Sequence, residues 1–194
     1  MNPKYCCFFI LNKGDATIQH YGENKSTNLA ENRIGVDFIM KMNDSVFGEL
    51  EHDYVWTKDT TIQFFENENK ISLMIDGDED GIFDEEQYLA YQALMKNWND
   101  LQQNFLQKLL EYYQQRRYEL GYDIAFNENY PLVETTGQIL EMIELDGIVV
   151  PYGDIREGRD IGVLFNCSWD KENGVGLRLL DEEVIEVGYQ DIVI

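Results

Sequence analysis

Basic residues are scarce in this chain: 15 Lys and Arg stand against 37 Asp and Glu, a formal charge of -22 over 194 residues, and the isoelectric point falls near 4.2. Nucleic-acid phosphates and anionic membranes are bound through a basic face, so neither is an expected partner. Cysteine is also scarce. Cys6 and Cys7 are adjacent and Cys167 is distant, which builds no disulfide framework, and there is no CxxC pair or Cys/His cluster of the kind that holds zinc. Reduced thiols point to a cytoplasmic setting. Long apolar runs are missing: residues 5–11 are too few to span a membrane and no small-residue cleavage site follows them, which argues against a membrane anchor or signal peptide. There is no internal repeat, no low-complexity tract and no strong catalytic signature.

What remains is ample for folding. A hydrophobic share of 44% with 13% aromatics exceeds what an acidic disordered chain carries, because rings at that density bury enough area to offset the ordering entropy. The length suits one domain with an appendage. Residues 1–35 read as an irregular N-terminal extension, an apolar run followed by a polar stretch with little periodicity. Residues 36–194 read as a single α+β domain. Its first part alternates with period two through Val46, Leu50, Trp56, Ile62, Phe64, Ile71, Leu73 and Ile75, with the turn-like Glu66-Asn67-Glu68-Asn69 between the last runs, and predicts an antiparallel meander. From Asp84 the period changes. Tyr88, Tyr91, Met95, Trp98, Leu101, Phe105, Leu109 and Tyr112 recur at three- and four-residue steps and predict a central helix ending near Gly121. It is either one rod or a pair broken within residues 97–100, where Asn99 or Asp100 would cap the second. A short helix capped by Thr135 or Thr136 follows, carrying Ile139, Leu140, Met142 and Ile143. The remainder reads as strand: 147–151, 161–169, 175–180, 184–187 and 192–194. The fold expected is an antiparallel sheet with a long helix or helix pair packed on it and a C-terminal β-hairpin.

The sharpest local signal is the acidic run at residues 76–87. Asp76, Asp78 and Asp80 occupy positions 1, 3 and 5 of an EF-hand-type loop, Gly81 the turning position 6, Ile82 a carbonyl-donating position between, and Asp84 position 9, an oxygen-rich arrangement suited to calcium. The fit is partial. Gln87 stands where a bidentate carboxylate belongs, and the preceding segment reads as strand, so any affinity falls toward roughly 10⁻⁴ to 10⁻³ M. The alternative use of these residues is local: Asp and Gly make the turn, and carboxylates favour the N-terminus of the following helix.

The second signal, residues 162–177, reads as a hairpin with Asn173-Gly174 available for positive φ. Phe165, Cys167 and Trp169 share one face, which makes Cys167 a packed small hydrophobe more readily than a nucleophile. Only His20 and His52 could act as its base. Asp170 and Glu172 form an acidic pair suited to turn chemistry first and partner recognition second.

The pattern Leu164-Phe165-x-Cys167-x-Trp169-Asp170-x-Glu172-x-Gly174-x-Gly176, closing with Val187-Gly188-Tyr189-Gln190-Asp191-Ile192, resembles a large set of bacterial proteins catalogued as domains of unknown function. Phe47-Gly48-Glu49-Leu50, Trp56, Gln87-Tyr88, Ala90-Tyr91 and Tyr112-Tyr113 add to the likeness, which spans about residues 36–194. It implies no enzymatic activity. Some members of that set look like immunity or accessory proteins encoded near bacterial toxin systems. The acidic loop lies outside the pattern, whereas Gln87 lies inside it, which gives Gln87 a packing role. The expectation drawn from charge and resemblance is a non-catalytic, immunity-like module that meets a basic protein. The alternatives are a calcium-binding module through Asp76, Asp78, Asp80, Ile82 and Asp84, and a hydrolase using a carboxylate pair or Cys167.

Overall fold

The computed structural model describes residues 39–122 and 127–194; the expected extension at 1–35 lies outside the described residues. Eight strands form one sheet whose spatial order is the chain order. They are β1 (Met40–Asp44), β2 (Gly48–Asp53), β3 (Val55–Phe64), β4 (Asn67–Ile75), β5 (Ile143–Val150), β6 (Asp160–Cys167), β7 (Val175–Leu180) and β8 (Glu183–Gly188). Short turns make every pairing antiparallel except one. Strands β4 and β5 run parallel, because the chain leaves the sheet between them and a parallel return needs a long crossover. That crossover holds helix α1 (Glu85–Glu119) and the single-turn helix α2 (Thr136–Leu140). The α+β class holds, with a long central helix and a hairpin-like C-terminal pair, β7 and β8. The parallel seam is a refinement, since residue alternation reports which face a side chain occupies but not strand direction.

Helix α1 is continuous through the polar stretch at 97–100. Asn97 donates its side-chain amide to the Ala93 carbonyl at 2.9 Å, within the helix, and Trp98 Nε1 donates to the Gln63 carbonyl at 2.7 Å, which pins the helix to the end of β3. The helix begins in a capping box between Asp84 and Gln87 and ends in a Schellman turn. There Gly121, with φ of 77°, donates to Tyr118 O and Tyr122 N donates to Arg117 O, and glycine suits the left-handed position. The fully buried line of α1 is Gln87, Ala90, Leu94, Trp98, Gln102, Phe105, Leu109, Tyr113 and Arg117. Of the stripe read above, Trp98, Phe105 and Leu109 lie on this line, while Tyr88, Tyr91, Met95, Leu101 and Tyr112 flank it half-buried against the same core. The polar members keep partners, as Gln102 Oε1 accepts from Phe65 N at 2.6 Å and Arg117 Nε donates to Tyr130 O at 2.8 Å.

Two expectations fail locally. Met142 and Ile143 leave the second helix, which stops at Leu140; the cap at Thr135 forms, but Ile143 already pairs with Cys167 at the start of β5. Residues 192–194 make no strand. Instead a 3₁₀ turn, Gln190–Ile192, folds the C-terminus over the sheet face opposite α1, where Val193 packs on Val149 and Leu164. Strand β6 is therefore covered on both sides, which accounts for its unbroken apolar run.

Glycine makes this second layer possible. A Cβ on Gly162 would lie 2.6 Å from Val193 Cβ. Gly162→Ala is expected to cost about 1–3 kcal/mol through overpacking. A urea double-mutant cycle with Val193→Gly, which removes the Cβ itself, should recover part of that loss, and strict additivity would show that the two residues do not compete for the same space.

Candidate functional site: the acidic end of the sheet

The topology brings three acidic connections and one helix start to a single end of the sheet, the end that also carries the β2–β3 turn at Tyr54. Residues 76–84 follow β4, residues 151–159 follow β5, and Asp181-Glu182 turn the chain from β7 into β8 with φ of 50° and 65°. Backbone and side chain stitch them together. Asp76 N donates to Val150 O at 3.0 Å and Asp181 N to Arg159 O at 3.1 Å. Gly153 N donates to Asp84 Oδ2 at 3.1 Å, and Tyr152 OH reaches Asp78 Oδ1 at 3.5 Å. The side chain of Gln87, 2% exposed, holds the knot: its Nε2 donates to Asp76 O at 2.8 Å and to Val150 O at 3.3 Å, and its Oε1 accepts from Asp84 N at 2.9 Å. Gln87 is thus a structural clamp at the seam between the parallel strands, its amide spent on the backbone of Asp76, Asp84 and Val150.

Asp78, Glu79, Asp80, Asp84, Glu85, Glu86, Asp154, Glu157, Asp181 and Glu183 are exposed at this end. Arg159 answers two acids there, through Asp181 at 3.1 Å and Glu182 at 2.8 Å. Ile82 and Ile155 are exposed among the carboxylates, and Tyr152 is at the border of exposure. Burial pushes the Asp76 carboxyl up, against the pull of the Tyr152 N–H. Burial also pushes up Asp160, at the start of β6, against Arg178, Arg156 and the Ile161 N–H dipole. Asp160 is missed by sequence reasoning. The available signal is Arg178, a lone cation in the apolar run Gly176-Leu177-Arg178-Leu179, which requires a buried partner.

The proposed calcium ligands are present in one loop but are engaged with the fold. Asp80 Oδ1 accepts from Ile82 N at 3.1 Å, Asp84 caps α1, and the Asp78 carbonyl accepts from Trp56 Nε1 at 2.8 Å. Among the described residues no group of three His, Cys, Asp or Glu side chains converges to hold a metal ion. Calcium at about 1 mM, the upper end of the weak-module range, is expected to leave the thermal midpoint unchanged; a saturable rise would show that the loop rearranges into a site.

Asp170 and Glu172 lie at the opposite end, between β6 and β7, and do not join this surface. The Asp170 carboxylate accepts from Asn173 N at 3.2 Å and from Asn173 Nδ2 at 2.9 Å, while Glu172 is exposed. Cys167 is buried, donates its thiol to Asp170 O at 3.3 Å, and is pushed by burial up to about 11. The depression beside it, about 470 Å³, is open and is lined by Glu141, Glu144, Asn166, Ser168 and Lys171 among others. His52 lies on β2 against Trp56, well away from β6, so it makes no pair with Cys167; His20 falls outside the described residues.

A sheet of eight strands with one long helix across one face and a C-terminal turn across part of the other defines a helix-on-sheet α+β protein. Residues 46–194 match the domain of unknown function DUF6985, and the chain belongs to that family. The match begins at Val46, not near residue 36, so β1 extends the sheet beyond it. No curated protein and no solved structure matches the chain. Among the described residues no helix is long and apolar enough to cross a membrane.

Proposed function

We propose that the protein is a non-catalytic binding module whose acidic end receives a basic protein, in the manner of an immunity protein covering a cationic toxin. The observation that carries this reading is the concentration of exposed carboxylates on the connections after β4, β5 and β7, interspersed with the apolar side chains of Ile82, Tyr152 and Ile155. Clustered charge of one sign steers an oppositely charged partner and raises its association rate. Apolar side chains within such a field supply the buried contact that charge alone does not.

The test is affinity capture from source cells followed by association kinetics of the purified partner across a salt series. The expected partner is basic, and its association rate constant falls by roughly tenfold or more between low and high ionic strength, as steered encounters do. A captured partner without basic character, or a rate indifferent to salt, would remove the proposal.

A further inference from the structure

Tyr54 is the single residue between β2 and β3, where Asp53 already pairs with Val55, and it stands at the acidic end of the sheet. Its side chain is 93% exposed, more than any other large apolar residue described. Its φ of 71° is a left-handed value that bulky residues rarely take. The other non-glycine residues with positive φ are used inside the fold: Phe65 packs edge-on to Phe64 and binds Gln102, and Asp181 and Glu182 pair with Arg159. Tyr54 makes no hydrogen bond, ion pair or ring contact among the described residues, so what its ring does lies outside the fold. Two residues on, Trp56 holds the acidic loop against the start of β3. Its Nε1 donates to Asp78 O at 2.8 Å, and Cβ atoms on Gly77 and Gly81 would meet its ring at 3.1 and 3.3 Å. The turn and the loop together present Tyr54 and Ile82, the latter 75% exposed, with the exposed carboxylates of Asp53, Asp78, Glu79 and Asp80.

We propose that Tyr54 is the anchor by which the acidic end holds its basic partner: the ring enters an apolar recess on that protein, and Asp53, Asp78, Glu79 and Asp80 face Lys and Arg side chains around the recess. This rests on the basic-partner reading above and names the contact that sets the lifetime of the complex. Charge and ring have different tasks. Exposed carboxylates act at a distance and quicken the encounter, but solvent-screened ion pairs at an interface rim hold little. A tyrosine buried at the centre of an interface covers a large area with only two side-chain torsions to order, and such aromatic anchors supply most of the holding energy. The one-residue turn between paired strands fixes the backbone under the ring before the partner arrives, which lowers the ordering cost of binding. The occupant is a basic protein and not a second copy of the chain, because a second copy brings the same charge of -22 and meets like charge at this end.

The experiment places the photo-crosslinking residue p-benzoylphenylalanine at position 54 of the full chain in source cells, and separately at position 82 and, as a distant control, at position 118, where Tyr118 near the end of α1 is 66% exposed. Irradiation is expected to join position 54 to a basic protein in higher yield than position 118. The purified partner is then measured against the parent, Tyr54→Gly and Tyr54→Phe. Glycine suits a φ of 71°, so Tyr54→Gly should keep or raise the thermal midpoint, and its loss of binding is not a loss of fold. It should dissociate roughly 30-fold faster or more, the size of a hot-spot loss. Its association rate should stay within about threefold of the parent at every salt concentration, since steering is untouched. Tyr54→Phe should dissociate at most about fivefold faster, the worth of one hydrogen bond. No adduct at position 54 above the control, or dissociation of Tyr54→Gly at the parental rate, would overturn the inference. A basic partner joined through position 82 but not through position 54 would overturn it while leaving the proposed function standing. An adduct at position 54 with a protein of no basic character would overturn both.

Discussion

Tyr113→Ala is expected to lower stability by about 3–5 kcal/mol, the range for deleting a large buried ring, and the thermal midpoint by roughly 10 °C or more for a domain of this size. Tyr113 is fully buried, and three parts of the chain meet at its side chain. Its ring sits edge-on to Trp169 beyond the end of β6 at 4.9 Å and parallel to Tyr130 at 6.1 Å. Its hydroxyl donates to Pro131 O at 2.6 Å, fixing the segment that leads into α2. Truncation therefore opens a cavity between helix and sheet and also releases the crossover that makes the β4–β5 seam parallel. Tyr113→Phe keeps the ring and should cost only about 1 kcal/mol, the worth of one hydrogen bond. Chemical unfolding of the two variants separates the contributions. Equal losses would mean that the hydroxyl, not the packing, holds the helix.

Gln87→Leu is expected to destabilise by roughly 2–3 kcal/mol, because it strips a hydrogen bond from two backbone groups at once. Asp76 O loses its donor and Asp84 N its acceptor; Val150 O retains Asp76 N. Leucine fills a similar volume, so packing changes little and the loss reports the polar clamp. A residue serving only as an exposed loop position would move stability by no more than about 0.5 kcal/mol, and that result would contradict the role assigned to Gln87. A loss of the predicted size accompanied by disordered amide resonances at 76–84 and 151–153 would place the damage at the acidic end, and with it the proposed recognition surface.

The class of the fold was legible because the switch from period two to period 3.6 at Asp84 is abrupt and sustained. The helix line was legible only to within one position. Hydrophobicity alone selects Tyr88, Tyr91 and Tyr112, whose amphipathic rings cover the flanks, whereas the central line includes Gln87 and Gln102, polar residues that enter the core because backbone groups of the sheet meet them there. Residues 97–100 leave one rod and a broken pair equally open, since Asn and Asp cap helices well; Trp98 binds the sheet from within that stretch, and this tertiary contact decides for the rod. The parallel seam and the back-folded C-terminus were hidden for a different reason. Strand direction leaves no trace in alternation, and Ile192-Val193-Ile194 presents the same apolar run whether it pairs at an edge or packs across Gly162 and Gly176.

The candidate site was half legible. The acidic run at 76–87 stands out in one dimension, and its strand-loop-helix setting was readable. Its neighbours were not, because Asp154, Glu157, Asp160 and Asp181 are distant in sequence and come alongside only through the sheet order. The pair Asp170 and Glu172, adjacent to the most recognisable C-terminal residues, falls at the other end, where Asp170 fixes the turn through Asn173.

The acidic end as the recognition surface is tested most directly by charge reversal at matched net charge. One triple variant, Asp78→Lys, Glu79→Lys and Asp80→Lys, alters that end; the control, Glu66→Lys, Glu68→Lys and Glu172→Lys, alters the opposite end by the same amount. Association of the captured basic partner is then measured at low salt by stopped flow. The account predicts a fall of roughly tenfold or more in the association rate for the first triple and a much smaller fall for the control, as local steering exceeds the effect of net charge. Equal falls, or a larger one for the control, would contradict it.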